Sequence, residues 1–215
     1  MKRIVGLVLF SLLFTQSVEA QQDPKAKAVL EAVSKKIGSL KSLKANFALH
    51  LTGANGKIKE TKKGSFFMKG QKYRVSMDGQ EIICDNKTVW TYMKDVNEVQ
   101  VSNYNPSEQT LSPAKLFTNF YDQEFTYRYA GQRKVNGKNC DVIEMVPNGG
   151  NKQFSRVELA IDKDTHTITG GNIWEKNGTQ YQYSISGFSP DANIADTWFT
   201  FNEKEHPGVE VVDLR

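Results

Sequence analysis

"CDNKTVWTYMKDVNEVQV" (residues 84–101) reads as two β-strands around a charged turn, with Trp90, Tyr92 and Met93 crowded into a short hairpin. A period of two puts Trp90 and Tyr92 on one face and Val89, Thr91 and Met93 on the other. Read alone, the hairpin does not say which face looks inward.

The same period runs outward on both sides. Ala45, Phe47, Leu49 and Leu51 alternate with Asn46, Ala48 and His50, and "GANGK" (53–57) supplies a turn with an Asn-Gly pair. Tyr73, Val75 and Met77 form one apolar face, and Ile82-Ile83-Cys84 leads into the hairpin, whose turns are "DNK" (85–87) and "KDVNE" (94–98). Later come Phe125, Tyr127 and Tyr129, then "CDVIEMV" (140–146), then Val157, Leu159 and Ile161. Tyr181, Tyr183 and Ile185 follow, with "WFTF" (198–201) near the end. Strands joined by short polar turns predict a meandering antiparallel sheet.

Two stretches break the period. Over 24–43 an Asp23 cap and Pro24 precede Ala26, Val29, Leu30, Val33, Ile37 and Leu40 at helical spacing. In "LSPAKLFTNFYD" (111–122) Ser112 can cap, Pro113 fits a first turn, and Leu116, Phe117, Phe120 and Tyr121 share one face, which predicts a short apolar helix.

Cover for the sheet is then short. About ten strands at roughly 4.8 Å spacing span close to 48 Å, and two helices of roughly 10 Å diameter cover less than half of one face. Leaving the rest wet would expose more apolar surface than a soluble monomer tolerates. The sheet is therefore expected to curl on itself with the helices plugging the gap, either packed solid or around an apolar hollow.

The first twenty residues, "MKRIVGLVLFSLLFTQSVEA", hold Lys2 and Arg3, an apolar run too short to span a bilayer, and a small-residue cleavage site. They read as a signal peptide (1–20) cleaved after Ala20, with residues 21–215 as one domain in a periplasm or outside a cell. Without Lys2, Arg3 and Glu19 the net charge of +4 becomes +3. No Arg-rich block accompanies it, which argues against a nucleic-acid partner. Cys84 and Cys140 leave open a disulfide or a pair of small buried apolar residues.

Motifs for chemistry are absent. His50, His166 and His206 have no ligand spacing, and there is no G-x-S-x-G, C-x-x-C, P-loop or G-x-G-x-x-G. "DKDTHTITGG" (162–171) lacks the later acids of a calcium loop and reads as a turn into a strand. No catalytic residue, metal or cofactor is expected, and the chain is not expected to be an enzyme.

"KANFALHL" (44–51), "KGSFFMKGQKYRVSM" (63–77), "ICDNKTVWTYMKDVNEVQV" (83–101) and the closing "WFTFNEKEHPGVEVVDLR" (198–215) resemble the periplasmic outer-membrane lipoprotein carrier family LolA. The likeness covers nearly the whole mature chain and is most specific over 63–101 and at the C-terminus. It implies a mostly β fold with helices, in which a single curved antiparallel sheet forms an incomplete β-barrel with a helical lid.

It also implies a carrier that holds lipoprotein acyl chains in a hydrophobic cavity and shuttles them from the inner to the outer membrane. Its partners would be an inner-membrane lipoprotein-releasing transporter and an outer-membrane receptor, and the carrier itself would be a monomer. Candidates for the cavity are Phe47, Leu49, Phe67, Tyr73, Val75, Trp90, Tyr92, Leu116, Phe117 and Phe120. The best-known branch has an Arg-Pro pair after its aromatic, where the Arg holds the lid; here the chain reads Lys69-Gly70-Gln71, so Lys69 is the candidate latch. The alternatives are a half-barrel that senses lipids or lipoproteins, a carrier of another lipid, and an enzyme on a lipid or glycan with no visible nucleophile.

For Phe47, Leu49, Phe67, Trp90 and Tyr92 the plain alternative is core packing, and for Leu116, Phe117 and Phe120 it is a helix docked on the sheet instead of a moving lid. The closing "GVEVVDLR" is expected to be an ordered strand.

Overall fold

A computed structural model describes residues 22–57, 59–105, 124–149 and 153–215. One helix, α1 (Pro24–Gly38), comes first among them. It is followed by β1 (Leu43–Thr52), β2 (Lys59–Lys69), β3 (Lys72–Met77), β4 (Gln80–Cys84), β5 (Thr88–Met93) and β6 (Glu98–Asn103). Then come β7 (Phe125–Val135), β8 (Lys138–Pro147), β9 (Phe154–Asp162), β10 (Ile168–Glu175), β11 (Gln180–Pro190) and β12 (Glu210–Asp213). The twelve strands make one open, curved sheet in the order β12-β6-β5-β4-β3-β2-β1-β11-β10-β9-β8-β7.

Every pairing is antiparallel except the last, where β12 lies parallel to β6. The predicted C-terminal strand is thus present. The predicted second helix, 111–122, lies outside the described residues.

Helix α1 starts where its cap says it should. The Asp23 carboxylate accepts the N–H groups of Lys25 (2.8 Å) and Ala26 (3.2 Å), and Pro24 needs no donor there. Its other oxygen accepts Tyr129 N–H at 2.8 Å, which pins the helix to the free edge of β7. Gln22 extends that seal, taking Tyr127 N–H and giving its amide to Phe125 O, as a neighbouring strand would. The contact with Tyr129, followed by those with the first helical turn, holds the Asp23 carboxyl below its usual range.

Ala26, Leu30, Val33 and Ile37 form the buried stripe of α1. They join one large core with Leu43, Phe47, Phe66, Met68, Val75, Phe125, Ile143, Met145 and Leu159 of the sheet. Gly64 permits this packing. A Cβ there would meet Phe47 Cζ at 2.5 Å and collide with Ser76 O, so the Phe47 ring lies directly over β2. Gly64→Ala is therefore expected to lower the unfolding free energy by about 1–3 kcal/mol in urea titrations, whereas a loss below about 0.5 kcal/mol would mean the ring has room to move.

The other face of the sheet has a second core. After β11 the chain crosses it as a strap through two short 3₁₀ turns, Asp196–Phe199 and Glu203–Glu205, before joining β6 as β12. Phe201 and Val209 of the strap pack with Ile83, Trp90, Tyr92 and Val99. Tyr92 Oη donates to Asn97 Oδ1 (2.9 Å), and Asn97 Nδ2 donates to Pro207 O (3.2 Å).

The stretch read as a turn into a strand, 162–171, does that. Asp162 Oδ1 accepts Asp164 N–H at 2.9 Å, and Lys138 Nζ donates to Oδ2 at 2.7 Å. Burial by itself raises this carboxyl, but the Lys138 ammonium and the turn N–H groups outweigh it and hold the group at about 2 instead of 3.8. A lowered folded-state value stabilises the protein above the unfolded value, and that stability is lost as pH falls from about 4 toward 2. Lys138→Met is expected to flatten the acid-unfolding curve over that window; an unchanged curve would contradict the assignment.

Candidate functional site

Strand register fixes which side chains share a face. From Leu49 of β1 the row on the α1 side runs to Lys62 of β2 in one direction, and to Tyr183 of β11, Gly171, Leu159, Ile143 and Tyr129 in the other. The neighbouring row links Glu60, Leu51, Tyr181, Ile173, Val157, Met145 and Tyr127. We call this side the helix face.

Burial on the helix face falls along β1. Leu43, Ala45 and Phe47 are buried, while Leu49 and Leu51 are half exposed. The same step appears from Val75 to Met77 on β3, and Ile82, Val89, Tyr181, Tyr183 and Ile185 are also only half covered. A run of apolar side chains thus lies open on the helix face, contiguous with the core beneath α1. Its rim is charged, with Lys62 and Glu60 paired at 3.4 Å. Such a surface can hold hydrocarbon.

Tyrosines gather on this face. Six of the seven described ones (Tyr73, Tyr104, Tyr127, Tyr129, Tyr181 and Tyr183) belong to its cluster. Tyr129 Oη donates to Asp141 Oδ1 at 2.7 Å. Desolvation, followed by the neighbouring Tyr181 and Glu175, pushes the Tyr183 phenol up to about 12.

The sequence candidates divide between the two faces. Phe47, Tyr73 and Val75 are buried on the helix face as core, and Leu49 is half open there. Phe67, Trp90 and Tyr92 are on the opposite face, which corrects their assignment to a cavity shared with Leu49. The cause is the strap: Phe67 packs edge-on against Trp198 at 5.4 Å, and Tyr92 lies 5.4 Å from Phe201 and 4.4 Å from His206. Leu116, Phe117 and Phe120 lie outside the described residues.

Lys69, the candidate latch, donates its ammonium to Ile194 O at 3.1 Å and pairs with Asp196 at 3.2 Å, so among the described residues it clasps the strap. Cys84 and Cys140 are free buried thiols on opposite faces of the sheet, which rules out a bond between them.

Sequence reasoning did not nominate Leu51, Met77, Ile82, Val89, Tyr181, Tyr183 or Ile185, although the period-two pattern marks most of them as sharing a face with Leu49 or Val75. A cleft of about 840 Å³ also opens beside the strap, lined by Lys69, Gln71, Lys72, Asp85, Asn86, Lys87, Asp196, Thr197 and Thr200. Every lining side chain carries a polar or charged group. Among the described residues no cluster of metal-ligand type occurs, and no helix is long and apolar enough to cross a membrane.

Comparison with known proteins extends this geometry. The family model for the outer membrane lipoprotein carrier protein LolA matches residues 38–202. An outer-membrane lipoprotein carrier protein of Legionella pneumophila (strain Lens) is 22% identical over 216 residues, covering 99% of each chain. Its counterpart in Shewanella sp. (strain ANA-3) is 25% identical over 191 residues, covering 86% of this chain and 85% of its own.

Among solved structures, an uncharacterised conserved protein from Thermus thermophilus superposes with a TM-score of 0.61 at 13% identity, covering 88% of this chain and 99% of its own. The Mycobacterium tuberculosis lipoprotein LppX gives 0.50 at 13% identity, covering 81% and 99%. Both support the fold.

Proposed function

The chain belongs to the LolA outer membrane lipoprotein carrier family, and from that premise we propose that it binds lipoprotein acyl chains on the open part of its helix face and carries them between membranes. The observation that supports this most directly is the half-exposed apolar run around Leu49, Leu51, Met77 and Ile185, continuous with the core under α1. Each methylene buried there contributes about 0.8 kcal/mol, enough to hold an acyl chain without a covalent bond. Because the run is open and not sealed, release needs no chemistry either.

In this reading residues 1–20 direct export and are removed after Ala20, the mature carrier works in the periplasm, an inner-membrane transporter loads it and an outer-membrane receptor unloads it. Protein purified from its native envelope is expected to start at Gln21 by N-terminal sequencing and to bind a pyrene-labelled palmitoyl probe displaceable by lipoprotein. A chain that binds neither probe nor lipoprotein would refute the carrier reading.

A further inference from the structure

We propose that the Tyr183 hydroxyl is the polar anchor of this groove, donating a hydrogen bond to the carbonyl of an ester-linked acyl chain and so selecting such chains over plain alkyl ones. The inference rests on the carrier reading and adds a specificity-determining residue to it.

Tyr183 is placed for the task. On the helix face it stands between Leu49 of β1 and Gly171 of β10, with Tyr181 and Ile185 before and after it on β11. Its ring packs against the main core while part of the side chain stays open. Gly171 contributes no side chain to cover it. Among the described residues its hydroxyl makes no hydrogen bond, whereas Tyr129 gives its own to Asp141, and Tyr181 is engaged by Glu175.

A half-buried O–H with no protein acceptor among the described residues is free to donate to a bound ligand, and in partly desolvated surroundings that bond counts for more than in water. The raised phenol value keeps that proton in place throughout the physiological range. An ester carbonyl is the complementary partner, an acceptor with no donor of its own, and its hydrocarbon tail suits Leu49, Leu51 and Ile185. Free fatty acid fits less well. Its carboxylate would lie near Glu175, which already acts on Tyr183, and near Glu60, which occupies the rim of the adjacent row.

The test compares dipalmitoylglycerol with its dihexadecyl ether analogue, which has the same chains and no carbonyl, by displacement of the pyrene-labelled palmitoyl probe. The wild-type protein is expected to prefer the diester by about 2- to 10-fold, the span of one hydrogen bond. Tyr183→Phe is expected to abolish that preference, and Tyr181→Phe to retain it.

Equal affinity of the wild type for both lipids, or a preference that survives Tyr183→Phe, would overturn the anchor and leave the carrier reading intact. Failure of the wild type to bind either lipid or the probe would overturn both. Loss of an unbonded hydroxyl is not expected to harm folding, and a thermal melt of Tyr183→Phe within a few degrees of wild type confirms that the comparison is fair.

Discussion

Phe201→Ala is expected to lower the unfolding free energy by about 3–5 kcal/mol, the range for removing a buried aromatic ring. Phe201 belongs to neither β11 nor β12 but to the strap between them, and it is buried against the face of the sheet that α1 does not cover. Its ring stacks on His206 at 4.7 Å and tilts onto Tyr92 at 5.4 Å. Without it Ile83, Tyr92 and Val99 lose their lid, and the parallel pairing of β12 with β6 loses the segment that delivers it.

The polar clasps are weak substitutes. Lys69 and Lys72 meet Asp196 at 3.2 and 3.4 Å in exposed positions, where an ion pair contributes little. Urea denaturation followed by circular dichroism gives the number, and a loss under about 1 kcal/mol would show that the strap rests loosely on the sheet and is not a second core.

That strap explains which parts of the molecule were legible in the sequence. The period-two runs at Ala45–Leu51 and Tyr73–Met77 and the helical spacing of Ala26, Leu30, Val33 and Ile37 are local patterns, and each became the expected element with the expected buried side. The 84–101 hairpin became β5 and β6 with the preceding end of β4. Its inward face was not legible, because both faces carry apolar residues and each packs against a core. Val89 faces the main core, and Trp90 and Tyr92 face the second.

The deciding partners lie far away in the chain, Phe201 and Val209 for one face and the α1-side core for the other. The same distance hid the role of Lys69, whose acceptors at Ile194 and Asp196 are about 125 residues downstream. It also hid the pairing of β1 with β11, which sets Tyr183 beside Leu49. Local alternation gives each strand two faces, and only long-range pairing says what each face meets.

Leu49→Glu and Trp90→Glu are expected to fail in opposite ways. Leu49 is half open on the helix face, so a carboxylate there remains within reach of water and of Lys62 across the β1–β2 ladder. Folding should lose about 1 kcal/mol or less. An acyl chain laid along that face would have to desolvate the new charge, at a cost of several kcal/mol, and affinity for the palmitoyl probe should fall by roughly 100-fold or more.

Trp90 lies on the opposite face, opposite Val101 of β6 and packed on the second core. Glutamate there removes apolar contact beneath the strap, and a stability loss of about 1–3 kcal/mol is expected, with probe affinity per folded molecule unchanged. Isothermal titration of the two variants beside their urea curves separates the faces. If Trp90→Glu abolished binding while Leu49→Glu left it intact, the acyl site would belong under the strap and the helix face would be core alone.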